Sequence, residues 1–216
     1  TVSGQSRAEV EGALARYAEL GVDHILAIRG DMPAGPAAPF EPHPDGLANA
    51  TELVRLVKAS GDFHVGVAAF ADGHPAQHDL DLDVRILLDK ERAGAEFAVT
   101  QMVFRAESYL SLVDRFRRIG GTIPIVAGIM PVTNPGQIER FRTLAGDIMP
   151  EGLIDVLSGA SDDPRRFRRL GVEWMTQVCE DLLAGGAPGL QFFTLNSSRA
   201  TSEIVAKLRT IPPRRS

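Results

Sequence analysis

The sequence predicts a parallel α/β fold, and three observations carry that expectation. Segments with helical and strand periodicity alternate along the chain. The helical segments are ten or more residues long, so the strands they join must be crossover-connected and parallel. The strand segments are apolar at nearly every position, the pattern of a sheet covered on both faces.

Each element has its own signal. Ser6-Arg7-Ala8-Glu9 is a capping box, and Val10, Ala13, Leu14 and Tyr17 follow at helical spacing up to the stop at Gly21. Residues 24–28 then form a short buried strand that ends at Arg29-Gly30. A helix with Leu47, Ala50, Leu53, Val54 and Val57 stops at Gly61, before a strand at 65–70. The helix with Leu80, Val84, Leu87 and Leu88 stops at Gly94, before a strand at 97–103. Tyr109, Leu112, Val113 and Phe116 mark the next helix, and a strand at 123–129 follows Gly120-Gly121. Asn134-Pro135 and Asp163-Pro164 each place a cap before a proline and so start a helix. A last strand at 190–195 precedes a helix at 199–208. That makes five strands, a count that fits either a doubly wound sheet or an eight-stranded barrel with three strands missing.

Composition narrows the class. The 216 residues are 44% hydrophobic and 24% charged, with a formal net charge of -5 and a pI near 5.6. A nucleic-acid partner is not expected without a basic face. No apolar run reaches the ~18 residues of a membrane span, and the N-terminus has no signal-peptide pattern, so a cytoplasmic protein is expected. The single cysteine, Cys179, lies in a helical pattern and reads as a buried apolar residue. His24, His43, His64 and His78 lack metal-ligand spacing, so no metal site is expected. G-x-G-x-x-G and P-loop signatures are absent.

Chemistry-bearing residues gather where ligands sit in such folds, on the loops after the strands. Arg29-Gly30-Asp31 ends the first strand, Phe70 to His74-Pro75 follows the second, and Gln101 closes the third. Met130-Pro131 and Thr133-Asn134 follow the fourth, and Thr194 to Asn196 the fifth. The opposite loops, around Gly21, Gly94 and Gly120, are plain helix stops. Asp83, Ile86 and Lys90 share one helix face, which is either a solvated charged face or a polar strip meeting an extended ligand. Arg29-Gly30-Asp31 is either a turn closed by a salt bridge or a ligand loop. Gln101, in an apolar strand, is either a satisfied core amide or a group that recognises a ring with donors and acceptors.

Together these motifs resemble the flavin-dependent methylenetetrahydrofolate reductases. The resemblance lies in Asp23-His24-Ile25-Leu26-Ala27-Ile28-Arg29-Gly30-Asp31-Met32-Pro33 and in Val67-Ala68-Ala69-Phe70 leading to His74-Pro75. It continues through Ala93-Gly94-Ala95 with Thr100-Gln101, Ala127-Gly128-Ile129-Met130-Pro131-Val132, and Phe192-Phe193-Thr194-Leu195-Asn196. The five motifs keep the family's order along nearly the whole chain.

The resemblance implies a (β/α)8 TIM barrel, incomplete here with about five of eight strands and without the first ones. The flavin-binding catalytic barrel would occupy 1–211, with a frayed tail at 212–216. It implies FAD as cofactor, NADH or NADPH as hydride donor, and reduction of 5,10-methylenetetrahydrofolate to 5-methyltetrahydrofolate. A homo-oligomer is also implied. Arg29, Gly30, Asp31, Ala50, Phe70, His74, Gln77, Asp83 and Lys90 match cofactor-binding positions. Asp31 matches the catalytic carboxylate between flavin and folate. Asp31, Gln101, Gln137 and Phe141 match substrate-binding positions, with Arg199 standing in for the family arginine.

The sequence departs from the family at several points. The proton-donor glutamate, on the first barrel strand, is not in this chain. Ser197 follows Thr-Leu-Asn where an arginine is usual, with Arg199 two residues on. Asn49 occupies an often aromatic position. These departures keep open a non-catalytic flavin- or folate-binding barrel. Another flavin barrel, such as a proline-oxidising dehydrogenase, is disfavoured by Thr100-Gln101 and Thr-Leu-Asn.

Overall fold

Helix and strand alternate through most of the described residues, 1–35, 38–145 and 148–209 of a computed structural model. The order is α1 (Arg7–Glu19), β1 (His24–Ala27), α2 (Ala50–Ser60), β2 (His64–Ala69), α3 (Leu80–Arg92), β3 (Phe97–Met102) and α4 (Ala106–Arg118). It continues with β4 (Ile125–Ile129), α5 (Gly136–Ala145), α6 (Glu151–Ser158), α7 (Pro164–Ala184), β5 (Leu190–Phe192) and α8 (Arg199–Arg209). The predicted tail at 212–216 lies outside the described residues.

The helix starts form as their sequences dictate. Ser6 caps α1 with both bonds of the capping box: Glu9 N–H donates to Ser6 Oγ, and Ser6 N–H to Glu9 Oε2. Asn49 caps α2 through Glu52 N–H, and Asp79 caps α3 through Asp81 and Leu82 N–H. Asp163 caps α7, with Pro164 at its first position. Asn49 therefore has a helix-capping use at a position where the family is often aromatic.

The five strands form a parallel sheet in the order β1-β2-β3-β4-β5. The chain divides into two compact units. The first comprises Thr1–Gln101 and Ser111–Val126; the second, Met102–Leu110 and the described residues from Ala127 on. In the first, Val54, Val57, Val65, Val67 and Ala98 are completely buried. In the second, the core is built from Phe104, Phe141, Phe167, Leu153, Leu182 and Ile204. Cys179 is buried there too, and burial pushes its thiol up to about 12, which keeps it protonated and inert.

Three details differ from expectation. β1 is not buried throughout: His24 and Leu26 are exposed, and among the described residues β1 is an edge strand that pairs with β2. β5 ends at Phe192, and the chain turns at once, with Ser197 N–H donating to Thr194 O. Both central residues of that turn, Leu195 and Asn196, have positive φ, of 48° and 60°. Helix α6 was not foreseen, since Pro150 and Gly152 mask a two-turn segment whose signal is Leu153 and Leu157 four apart.

Gly171 of α7 lies close against the loop after β4. A Cβ built on it would lie 1.8 Å from the backbone oxygen of Val132, which no rotamer change can relieve. Gly171→Ala is therefore expected to destabilise the protein by roughly 1–3 kcal/mol or more, the cost of overpacking. Urea unfolding monitored by circular dichroism checks this; an unchanged midpoint would mean that α7 moves freely on the loop after β4.

Candidate functional site

The first unit places a set of cations at the carboxyl ends of its strands. Beyond β1, the Arg29–Asp31 loop is held by its backbone. Val2 and Ser3 N–H both donate to Arg29 O at 3.0 Å, and Ser3 Oγ donates to Asp31 O at 2.8 Å. Gly30 has φ of +83°, and a Cβ there would meet Thr1 and Ser3 Cβ at 3.0 and 3.1 Å, so only glycine fits. The side chains are not similarly tied. Asp31 is exposed. The Arg29 guanidinium lies 5.1 Å over the Phe40 ring, and its Nε makes only a long 3.4 Å contact to Gly30 O.

Beyond β2, the loop is organised by α3. Asp83 and Lys90 are only 8% and 7% exposed, which excludes the solvated-face reading of that helix. One Asp83 oxygen accepts from the His74 N–H at 2.8 Å, and the other from Gln77 Nε2 at 2.9 Å. Lys90 Nζ donates to Ala68 O at 2.9 Å. The Phe70 and His74 rings meet edge to face at 4.7 Å. Ala50, buried, opens α2.

Burial and neighbouring charge tune two of these groups. Desolvation pulls Lys90 down to about 8, with Arg29 adding to the effect and Asp83 opposing it. His74 is pulled below its ordinary value, first by desolvation and then by Arg29, with Asp83 and Asp31 opposing. Its ring is therefore mostly neutral at pH 7.

The opposite ends of the same strands are built differently. There His24 meets Asp23 at 2.7 Å, while His64 and Lys58 share Glu96 at 2.6 and 2.9 Å. Lys58 and both histidines each have a carboxylate partner there. At the carboxyl ends, neither Arg29 nor Lys90 has a carboxylate within ion-pair distance among the described residues. The arrangement can receive an anion. No group of three or more His, Cys, Asp or Glu suited to a metal occurs among the described residues.

The second unit's candidates fall out differently. Gln137 Oε1 accepts from Thr133 and Asn134 N–H, so its carbonyl secures the loop after β4. Phe141 is completely buried and stacks on Phe104 at 6.0 Å, which makes it core. Arg199 is 80% exposed and sits 3.5 Å from Glu203, which also binds Arg168 at 2.8 Å. Gln101, at the limit of the first unit, is half-buried near the end of β3. Ser3 escaped the sequence reading because its role, holding the Asp31 backbone, is a contact between residues 28 apart.

A parallel α/β sheet with an anion-receptive cluster at its strand ends defines a protein of the ligand-binding α/β class. The methylenetetrahydrofolate reductase family matches residues 1–209, and the chain belongs to that family. It is 32% identical over 210 residues to methylenetetrahydrofolate reductase 1 of Schizosaccharomyces pombe, covering 96% of this chain and 34% of that protein. It is also 32% identical to the 5,10-methylenetetrahydrofolate reductases of Pectobacterium carotovorum and Escherichia coli. Those matches cover 96% and 91% of this chain and 67% and 64% of theirs. The chain thus spans about a third of the yeast relative and about two-thirds of the bacterial ones. Among solved structures, an uncharacterized protein from Clostridium thermocellum that binds two copies of 5-methyl-5,6,7,8-tetrahydrofolic acid shares the fold. Its TM-score is 0.61 at 16% identity, over 94% of this chain and 68% of that one.

The lowered value of Lys90 has a sign that can be tested. Between pH 8 and 10.5 the unfolded chain binds more protons than the native one, so this group makes stability rise with pH there. Below pH 8 the buried charge costs the ligand-free protein on the order of 3 kcal/mol. Lys90→Met is expected to raise the melting temperature at pH 7 and to flatten that rise. Thermal melts from pH 7 to 10.5 check it, and an unaltered pH profile would mean the ammonium is solvated.

Proposed function

We propose that this chain is the flavin- and folate-binding part of a methylenetetrahydrofolate reductase. In this reading it reduces 5,10-methylenetetrahydrofolate to 5-methyltetrahydrofolate with NADH or NADPH as donor. The observation that carries the reading is the contrast between paired cations at one end of the first unit's strands and unpaired ones at the other. FAD carries a diphosphate, and Arg29, His74 and Lys90 are the donors such a group needs. Gly30 brings backbone close to a ligand, and Phe70 and Gln77 offer a ring and an amide beside it. Ala50 fits as a small residue at a helix start.

When bound, FAD would accept hydride from the nicotinamide and pass it to the folate. The chain's own residues bind and steer. Gln101 would recognise the donor and acceptor edge of the pterin, and Gln137 and Arg199 would contact the remainder of the folate. Phe141 would act from beneath, as a packed support. The same reading takes the five strands as part of a (β/α)8 barrel occupying 1–211, in a cytoplasmic homo-oligomer. That another protein of this fold holds 5-methyltetrahydrofolate is compatible with it.

Asp31 has the most specific assignment. A carboxylate is ill suited to hold an electron-rich reduced ring, since like charges repel. It is well suited to stabilise a cation. Opening of the folate's imidazolidine ring generates a 5-iminium cation that must exist before hydride arrives. A fixed anion beside it, screened from water by the ligands, lowers the energy of that state. The backbone bonds from Ser3 and Val2 would fix the main chain from which the carboxylate is presented.

Asp31→Asn keeps the shape and removes the charge. In the protein at its natural length, it is expected to slow hydride transfer to the folate by ~10²-fold or more. Flavin reduction by the nicotinamide should change far less. Stopped-flow measurement of each half-reaction decides. Equal losses in both would reduce Asp31 to a flavin contact, and no change in either would overturn the assignment. A protein that binds FAD and folate yet transfers no hydride would instead be a non-catalytic binder.

A further inference from the structure

We propose that the diphosphate of the bound flavin dinucleotide is taken up together with a proton, which lodges on Lys90. This inference rests on the functional reading above and concerns how the site admits its ligand.

The geometry is that of a buried ammonium near a guanidinium, neither of them within ion-pair distance of a carboxylate among the described residues, with Asp83 acting on the ammonium from further off. Lys90 sits on the last turns of α3, 7% exposed, and among the described residues its side chain hydrogen-bonds to the neutral carbonyl of Ala68. The charged groups around it come from three segments. From β1's end comes Arg29 and from α3 itself Asp83; the His74 ring, from the loop after β2, feels Lys90 as well, and Asp31 faces that ring. Asp83 is engaged by His74 N–H and Gln77 Nε2, and Asp31 is exposed. Arg29 remains charged at every accessible pH. The lysine is thus the adjustable member of the cluster: an ammonium desolvated beside a permanent guanidinium is driven toward its neutral form. Without ligand it sits near half-protonation at about pH 8. A diphosphate within reach reverses the balance, because an opposite charge in a poorly solvated site favours the ammonium strongly.

Linkage then fixes the observable. If binding restores Lys90 to its ordinary range, roughly 0.7 proton per flavin is taken up at pH 8.5, and very little at pH 7. The affinity for FAD should accordingly be nearly flat from pH 7 to about 8. Above that it should weaken, approaching tenfold per pH unit.

The test is isothermal titration calorimetry of the flavin-stripped protein, at its natural length, with FAD. It is run at pH 8.5 in two buffers of different ionisation heat, and repeated with riboflavin, which lacks the diphosphate. Proton uptake with FAD, none with riboflavin, and its loss in Lys90→Met are expected. FAD binding without uptake would overturn the inference while leaving the functional reading standing. Uptake that survives in Lys90→Met, or that riboflavin reproduces, would overturn it equally. If Lys90→Met does not fold, the pH profile of wild-type FAD affinity decides: a flat profile to pH 9.5 overturns the inference. Absence of flavin binding at any pH would overturn the functional reading, and the inference with it.

Discussion

The hydrogen bond from Lys90 Nζ to Ala68 O is the constraint around which the first unit's ligand end is arranged. It ties the last turns of α3 to the end of β2. Two turns back along the same helix, Asp83 gathers His74 and Gln77. One helix face thereby sets the course of the whole loop after β2. The bond itself adds modest stability: a charged donor on a carbonyl contributes about 1.5–3 kcal/mol, and the desolvation of an ammonium costs at least as much. A buried charge that does not stabilise the fold is retained for another reason. In the proposed function that reason is an anion held by Lys90, Arg29 and His74 together.

The comparison within the unit makes this more than a local peculiarity. The amino ends of β1, β2 and β3 carry two histidines and a lysine nearby, and each has a carboxylate partner in open solvent. Exposed pairs of that kind are nearly neutral for stability. The carboxyl ends carry the same kinds of side chain under more burial and with less counter-charge. Within this unit Lys58 is paired with a carboxylate where it is partly solvated, and Lys90 is left without one in ion-pair distance, among the described residues, where it is buried, the reverse of what stability alone would select.

Much of this was legible in the sequence, and the reasons for the rest are specific. All five strands and the capped helices announce themselves locally, through period and cap residues. The grouping of Arg29, His74, Asp83 and Lys90 was visible as motif and spacing. Whether Asp83 and Lys90 faced water was not, because a charged helix face reads alike in both settings until its partner strand is known. The place of β1 at an edge was legible from the strand order, but the exposure of His24 and Leu26 was not, because an apolar run reads alike whether or not a face is covered. Phe141 shows the reverse limit. Its match to a substrate position carries no information about depth, and its ring stacks on Phe104 inside the core. Arg199 sits on the helix just after Thr-Leu-Asn, as expected, yet its guanidinium turns toward Glu203.

The loops after β1 and β5 are ordered by opposite means. At Arg29–Asp31 the backbone is pinned by three hydrogen bonds from the N-terminal segment, and the required positive φ falls on glycine, where it costs little. Such a loop presents its side chains from a rigid base, so a ligand need not pay to order it. At Thr194–Ser197 positive φ falls on Leu195 and Asn196, and only the asparagine tolerates it well. A leucine in that region stores strain of order 1–3 kcal/mol, and its side chain is 57% exposed, with little packing to offset the strain. A turn under strain with few contacts has low resistance to rearrangement. The loop after β1 is thus held in one course by bonds from its own chain, while the loop after β5 carries strain on an exposed leucine and resists rearrangement less.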